Sequence, residues 1–137
     1  MIEIFVQSRY SVNRDFLRKH TIGFMKKLGI DPVLYTVSIA IVGDRKMKDV
    51  HERFAKKSGT TPVLSFALAG GRPLIAPHID RKYRNDVNAI GKEQHLIGEI
   101  IISYPQTLIF ASDENKLVNV KLAEFIEHGL TKLLSTG

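Results

Sequence analysis

The sequence contains no cysteine. This absence excludes disulfide bonds, thiolate nucleophiles and every zinc site built from cysteine ligands, and it fits a reducing cytosol. The first ten residues, MIEIFVQSRY, lack the basic start and apolar stretch of a signal peptide. No apolar run approaches the roughly 20 residues that span a bilayer. We therefore expect a soluble, cytoplasmic protein with no membrane partner.

The charge balance is basic, with 20 Lys+Arg against 14 Asp+Glu and a formal net charge of +6. Such an excess favours polyanionic partners, because cations that neutralise phosphates release counterions. The same excess also serves solubility alone, so charge leaves both interpretations open. A length of 137 residues with 44% hydrophobic residues predicts one domain, spanning residues 1–137, with a core of its own.

Hydrophobic periodicity predicts four strands and four helices. The expected strands are Ile2–Gln7, Tyr35–Val42, Val63–Leu68 and Ile97–Ser103. The expected helices are one capped by Ser11 or Asn13 and ending near Gly29, one capped by Asp44 and ending at Ser58-Gly59, one from Pro105 to about Ser112, and one from about Val118 to Leu134. Residues 69–96 form the one long irregular stretch. This order predicts an α+β fold, a mixed sheet of about four strands covered by about four helices.

Two of these helices have an apolar stripe that should face the core. In the first helix the stripe is Val12, Phe16, Leu17, Phe24 and Leu28. In the last helix it is Leu122, Phe125, Ile126, Leu130 and Leu133.

His128 is the first candidate for chemistry, because it lies away from the apolar stripe of the last helix. It shares its face with Glu124 and Lys132, each four residues away. Two histidines at that spacing grip zinc, but a protonated lysine has no free lone pair to offer a metal. His128 and Glu124 are therefore candidate acid–base groups, and an ordinary surface histidine is the alternative.

A basic helix end is the second candidate. Arg53, Lys56 and Lys57 precede the segment 60–66, which enters a strand. These cations can form a phosphate-binding rim, or they can simply complement the dipole at a helix C-terminus. Lys132 joins them as a candidate RNA contact.

The segment 77–84 is the third candidate. It contains Arg81, Lys82 and Arg84 beside Tyr83. Cations with an aromatic ring can contact backbone phosphate and stack on an unpaired base. A solvated loop explains the same composition.

Three blocks of residues in order point to a family. Thr61–Phe66 (TPVLSF) is similar to a family run Thr-Asp-Val-Leu-Ser-Phe, and Ile97–Ile100 (IGEI) to Leu-Gly-Asp-Ile. His128-Gly129 matches the start of a final motif, His-Gly-x-Leu-His-Leu-x-Gly-x-Asp-His. Over nearly its whole length the chain resembles the YbeY family of ribosomal-RNA maturation factors.

This resemblance implies a compact α+β fold and a metal site of three histidines, usually occupied by zinc. It implies a hydrolase that cleaves single-stranded RNA and matures small-subunit ribosomal RNA, with ribosomal RNA or the small subunit as partner. A metal with an open coordination position suits that chemistry, because it lowers the pKa of bound water and stabilises charge on phosphate.

The chain departs from the family pattern at several functional positions. The second ligand position is Lys132, and the third would fall just after Gly137. A Tyr-Arg pair of the family falls on Phe54-Ala55, and Pro62 stands where the family has Asp or Asn. His128 is thus a remnant ligand, and we expect natural divergence and not a chain shortened before its last ligand.

We therefore expect no cofactor, with zinc only if the family site is somehow completed. The leading hypothesis is a factor that acts on or binds small-subunit ribosomal RNA with impaired or no metal-dependent cleavage. One alternative is an active single-strand endoribonuclease that uses other ligands or His128 and Glu124. A protein-interaction module without catalysis is the other.

Overall fold

Three parallel strands and one antiparallel strand form the sheet. The computed structural model describes residues 1–67 and 95–135. The strands are β1 (Ile2–Val6), β2 (Tyr35–Val42), β3 (Val63–Ala67) and β4 (His95–Ser103). The order across the sheet is β1-β2-β4-β3, in which β1, β2 and β4 run parallel and β3 is antiparallel to β4. The predicted mixed sheet is confirmed.

Helices cover both faces of this sheet. They are α1 (Arg14–Lys27), α2 (Asp44–Phe54), α3 (Tyr104–Asp113) and α4 (Val118–Ser135). The α+β prediction is therefore confirmed as well. No helix within residues 1–67 and 95–135 is both long and apolar enough to cross a membrane. The predicted irregular stretch lies almost wholly outside the described residues, except that His95 and Leu96 belong to β4.

Local signals set several helix ends. Asn13, not Ser11, caps α1 and accepts a hydrogen bond from the Phe16 N–H at 3.0 Å. Ser103 caps α3, and Pro105 lies in its first turn as predicted. Two expectations for α2 were wrong. Its cap is Gly43 and not Asp44. It ends at Phe54 and not at Ser58-Gly59, because Lys56 takes a left-handed φ of 61°.

The two faces of the sheet have separate cores. On one face α1 and α4 pack together on the sheet, and α4 contributes the buried Leu122, Ile126 and Leu130. On the other face α2 contributes Met47 and Val50. The expected stripe of α1 was partly wrong. The buried line is Leu17, Thr21 and Met25, whereas Phe16 and Leu28 are each 37% exposed.

Candidate functional site

A groove of about 540 Å³ separates the edge strand β3 from helix α4. The entry to β3 lines one side and a face of α4 lines the other. The lining residues are Thr61, Pro62, Val63, Leu64, Lys121, Glu124, Phe125, His128 and Lys132. Two of the sequence blocks that carry the family resemblance therefore meet in one concave surface.

Close packing of α4 on the sheet creates this juxtaposition. The Ser65 hydroxyl of β3 donates to the Gly129 carbonyl of α4 at 3.1 Å. A Cβ at Gly129 would lie 2.7 Å from Ile100 Cγ2 of β4. The absence of a side chain at Gly129 therefore allows α4 to pack this closely on β4. The result is that His128, next to Gly129, borders the groove.

The groove combines apolar surface with exposed cationic and imidazole groups. Val63, Leu64 and Phe125 are partly buried, whereas His128 and Lys132 are exposed. Within residues 1–67 and 95–135 the ion pairs involve other side chains, so Lys132 has none. Its charge is available to a ligand.

A network of two lysines and two glutamates borders the groove. Lys121 is only 8% exposed, and its Nζ lies 2.8 Å and 3.0 Å from the two carboxylate oxygens of Glu114. Lys121 also donates to Glu124 Oε1 at 3.1 Å, and Lys116 donates to Glu124 Oε2 at 2.6 Å. The Lys121 ammonium lies 4.9 Å from the ring centroid of Phe125. This network fixes the start of α4 and one flank of the groove.

The ion pairs shift the pKa values of all four groups. The hydrogen bond from Lys121 lowers the pKa of Glu114, and the one from Lys116 lowers the pKa of Glu124. The hydrogen bond to Glu124 raises the pKa of Lys116, and the one to Glu114 raises the pKa of Lys121. Each carboxylate thus stabilises the fold above its unfolded pKa, and that contribution is lost as the pH falls through its lower folded pKa.

We expect the wild-type melting temperature, measured at low salt, to fall as the pH drops below about 4. Part of this loss arises because Glu114 and Glu124 become protonated and their ion pairs with the lysines are lost. Glu114→Gln should melt lower at neutral pH and show a shallower acid slope. The control is Asp113→Asn, because Asp113 is exposed and forms no ion pair within the described part of the chain. Calorimetric melting from pH 3 to pH 7 measures both slopes, and equal slopes for Glu114→Gln and wild type would contradict the assignment.

Glu124 and His128 both line the groove, but the two oxygens of Glu124 are held by lysines. A carboxylate with a lowered pKa is a poor proton donor and a weak base. This geometry favours a structural role for Glu124. His128 then remains as the imidazole of the groove.

Of the other predicted RNA contacts that the structure describes, Arg53, Lys56 and Lys57 do not line the groove. Arg53 pairs with Asp49 at 3.6 Å, and neither Lys56 nor Lys57 is among the lining residues. Arg53 lies in the last turn of α2, and Lys56 and Lys57 follow that helix, which packs on the opposite face of the sheet. The predicted contacts Arg81, Lys82 and Arg84 lie outside the described residues.

His51 and His20 each have a structural partner. His51 donates from Nδ1 to the Gly59 carbonyl at 2.9 Å, and His20 lies 2.5 Å from a carboxylate oxygen of Glu127. No group of three His, Cys, Asp or Glu side chains that could hold a metal ion occurs within residues 1–67 and 95–135. The described donors around His128 therefore do not fit the zinc site that the family resemblance implies.

Sequence reasoning missed Lys121 and Glu114 altogether. A lysine on the buried side of a helix is unusual, because ammonium groups are rarely buried without a partner. The position of Lys121, one residue before Leu122 of the apolar stripe, could therefore have predicted a buried lysine with an acidic partner.

Together, the fold and the groove define a single α+β domain with a concave surface between a sheet edge and its last helix. The family model of Endoribonuclease YbeY matches residues 6–135. Two curated relatives from Dehalococcoides mccartyi, both named Endoribonuclease YbeY, are 31% identical over 125 residues, which is 90% of this chain and 73% and 70% of theirs. The chain belongs to the YbeY family.

Another relative of the same name, from Thermodesulfovibrio yellowstonii, is 26% identical and covers 76% of this chain and 54% of its own. The solution structure of a Thermotoga maritima protein has the same fold, with a TM-score of 0.56 and 20% identity. That alignment covers 97% of this chain and 71% of the other.

Proposed function

We propose that this chain binds single-stranded ribosomal RNA in the groove between β3 and α4, and that it does so without a catalytic metal at His128. The observation that carries the proposal is the composition of the groove. Aromatic and apolar side chains, Phe125, Val63 and Leu64, lie beside the cation Lys132 and the imidazole of His128. Proteins that bind single strands combine surfaces for stacking bases with cations that follow the backbone.

The net charge of +6 and the family support RNA as the ligand. The relatives are named endoribonucleases, which act on RNA. We take the small-subunit ribosomal RNA, in the cytoplasm, as the specific target because the family resemblance implies it.

His128 and Lys132 support binding without a metal. Lys132 replaces a histidine of the family motif, and a protonated amine cannot ligate a metal. The imidazole of His128 can donate a hydrogen bond to a phosphate oxygen, and Lys132 can add a charge-assisted one. We derive no step that passes through a metal.

The test is an incubation of labelled single-stranded RNA, taken from the 3′ end of small-subunit ribosomal RNA, with and without a chelator. We expect retention of the RNA on the protein and no cleavage in either condition. His128→Ala, purified in the same way, is the matched control.

Cleavage that disappears both with chelator and in His128→Ala would show an active endoribonuclease and overturn the metal-free proposal. An absence of any RNA binding would instead favour a protein-interaction module.

A further inference from the structure

A second concave site lies at the carboxyl ends of β1 and β2, away from the groove. The pocket has a volume of about 670 Å³. It is lined by Gln7, Arg9, Gly43, Arg45, Lys46 and Asp49. Pockets that take small molecules have volumes of roughly 300–1,000 Å³, so this one is large enough for a ligand of nucleotide size.

The chain topology marks this crevice as a binding position. Helix α1, which follows β1, packs in the core that contains Leu17 and Met25. Helix α2, which follows β2, packs in the opposite core through Met47 and Val50. Because the chain leaves β1 and β2 toward opposite faces of the sheet, a crevice lies between the carboxyl ends of these strands, and open α/β sheets bind ligands in crevices at the carboxyl ends of their strands.

The charge of the pocket is positive. Arg9, Arg45 and Lys46 line it, and none of them takes part in an ion pair among the residues that the structure describes. The acidic lining residue, Asp49, is paired with Arg53 at 3.6 Å. Guanidinium groups match the geometry of phosphate oxygens, so the unpaired cations favour a phosphate ligand.

The exposed Arg9 guanidinium contacts an aromatic pair beside the pocket. It lies 5.4 Å from the ring centroid of Tyr10, which stacks on Tyr104 at 4.5 Å. A Cβ at Gly43 would lie 2.8 Å from the Tyr10 hydroxyl and 3.2 Å from Arg9 Nη2. These two side chains therefore pack closely against the Gly43 backbone. The Gly43 N–H also donates to Gln7 Oε1 at 2.9 Å. These contacts favour one position of the Arg9 guanidinium, which lowers the entropy lost on binding.

We propose that this pocket binds the phosphate group of a phosphorylated small molecule of nucleotide size. The groove for RNA borders β3, at the opposite edge of the sheet from β1. The site is therefore separate from the groove and does not depend on the function proposed for it.

Calorimetric titration of the full chain with AMP, and with adenosine as the phosphate-free probe, tests this proposal. We expect AMP to bind, adenosine to bind at least tenfold more weakly, and inorganic phosphate to displace AMP. The double variant Arg45→Gln/Lys46→Gln should weaken AMP binding at least tenfold. Lys48→Gln is the matched control, because Lys48 is an exposed cation of α2 that does not line the pocket.

The proposal is overturned if AMP fails to bind, if adenosine binds equally well, or if the double variant binds AMP as the wild type does. The affinity of the double variant for single-stranded RNA is a separate measurement. We expect it to stay within about twofold of wild type in the double variant. A loss as large as that of a groove variant would make the pocket part of the RNA path, whereas a failure of RNA binding itself leaves the AMP result standing.

Discussion

Gly98→Ala is expected to destabilise the protein by about 3 kcal/mol or more, the upper end of the range for overpacked cores. Gly98 lies in β4 between Val37 of β2 and Ala67 of β3. A Cβ there would lie 2.4 Å from the backbone carbonyl oxygen of Phe66 and 2.9 Å from Leu133 Cδ2. A backbone oxygen cannot rotate aside, so β3 must shift and its pairing with β4 must weaken. Urea unfolding measures the free energy.

Gly129→Ala is the matched control, because it adds the same single carbon atom. The close contact there is with the buried side chain of Ile100 and not with a backbone atom, and alanine gains about 1 kcal/mol of helix propensity over glycine, which offsets part of its cost. We expect a clearly smaller loss than for Gly98→Ala. A Gly98→Ala protein as stable as wild type would contradict the close approach of β3 and β4, on which the groove depends.

Lys132→Glu is expected to lower the affinity for single-stranded RNA by about tenfold, because phosphate contacts dominate such binding. Lys132 is exposed in the groove, one turn beyond His128. Lys121 also lines the groove, but Glu114 and Glu124 already neutralise it. Lys132→Glu therefore removes a positive charge that no carboxylate neutralises within the described residues, and it places a carboxylate near the RNA backbone. Fluorescence anisotropy at one fixed salt concentration measures the affinity.

Lys19→Glu is the control, because it changes the net charge by the same amount. Lys19 is exposed on α1 and does not line the groove. Its affinity for RNA should stay within about twofold of wild type. Equal losses in the two variants would mean that overall charge, and not the groove, attracts the RNA.

The parts of the fold that depend on local sequence were predictable. The β-branched run Tyr35–Val42 is a strand with the predicted ends, since such residues fit a buried pleated surface. Leu122, Ile126, Leu130 and Leu133 are buried as their spacing predicted. Phe125 is only partly buried, because it also lines the groove.

The site was less predictable because long-range contacts build it. His128 and Lys132 were identified from their helical spacing, but nothing local placed them opposite Pro62 and Val63. Asp44 shows the same limit. It was expected to cap α2, yet its carboxylate accepts hydrogen bonds from the Ser103 hydroxyl at 2.8 Å and the Thr60 hydroxyl at 3.2 Å. Those partners lie 59 and 16 residues away in the chain.

An NMR titration of the full chain with single-stranded RNA tests the central claim, that the groove between β3 and α4 is the RNA-binding surface. We predict that the largest changes in amide chemical shift occur at Thr61, Leu64, Phe125, His128 and Lys132, which line that groove. Changes concentrated at the pocket of Arg9 and Arg45, or no saturable changes at all, would contradict it.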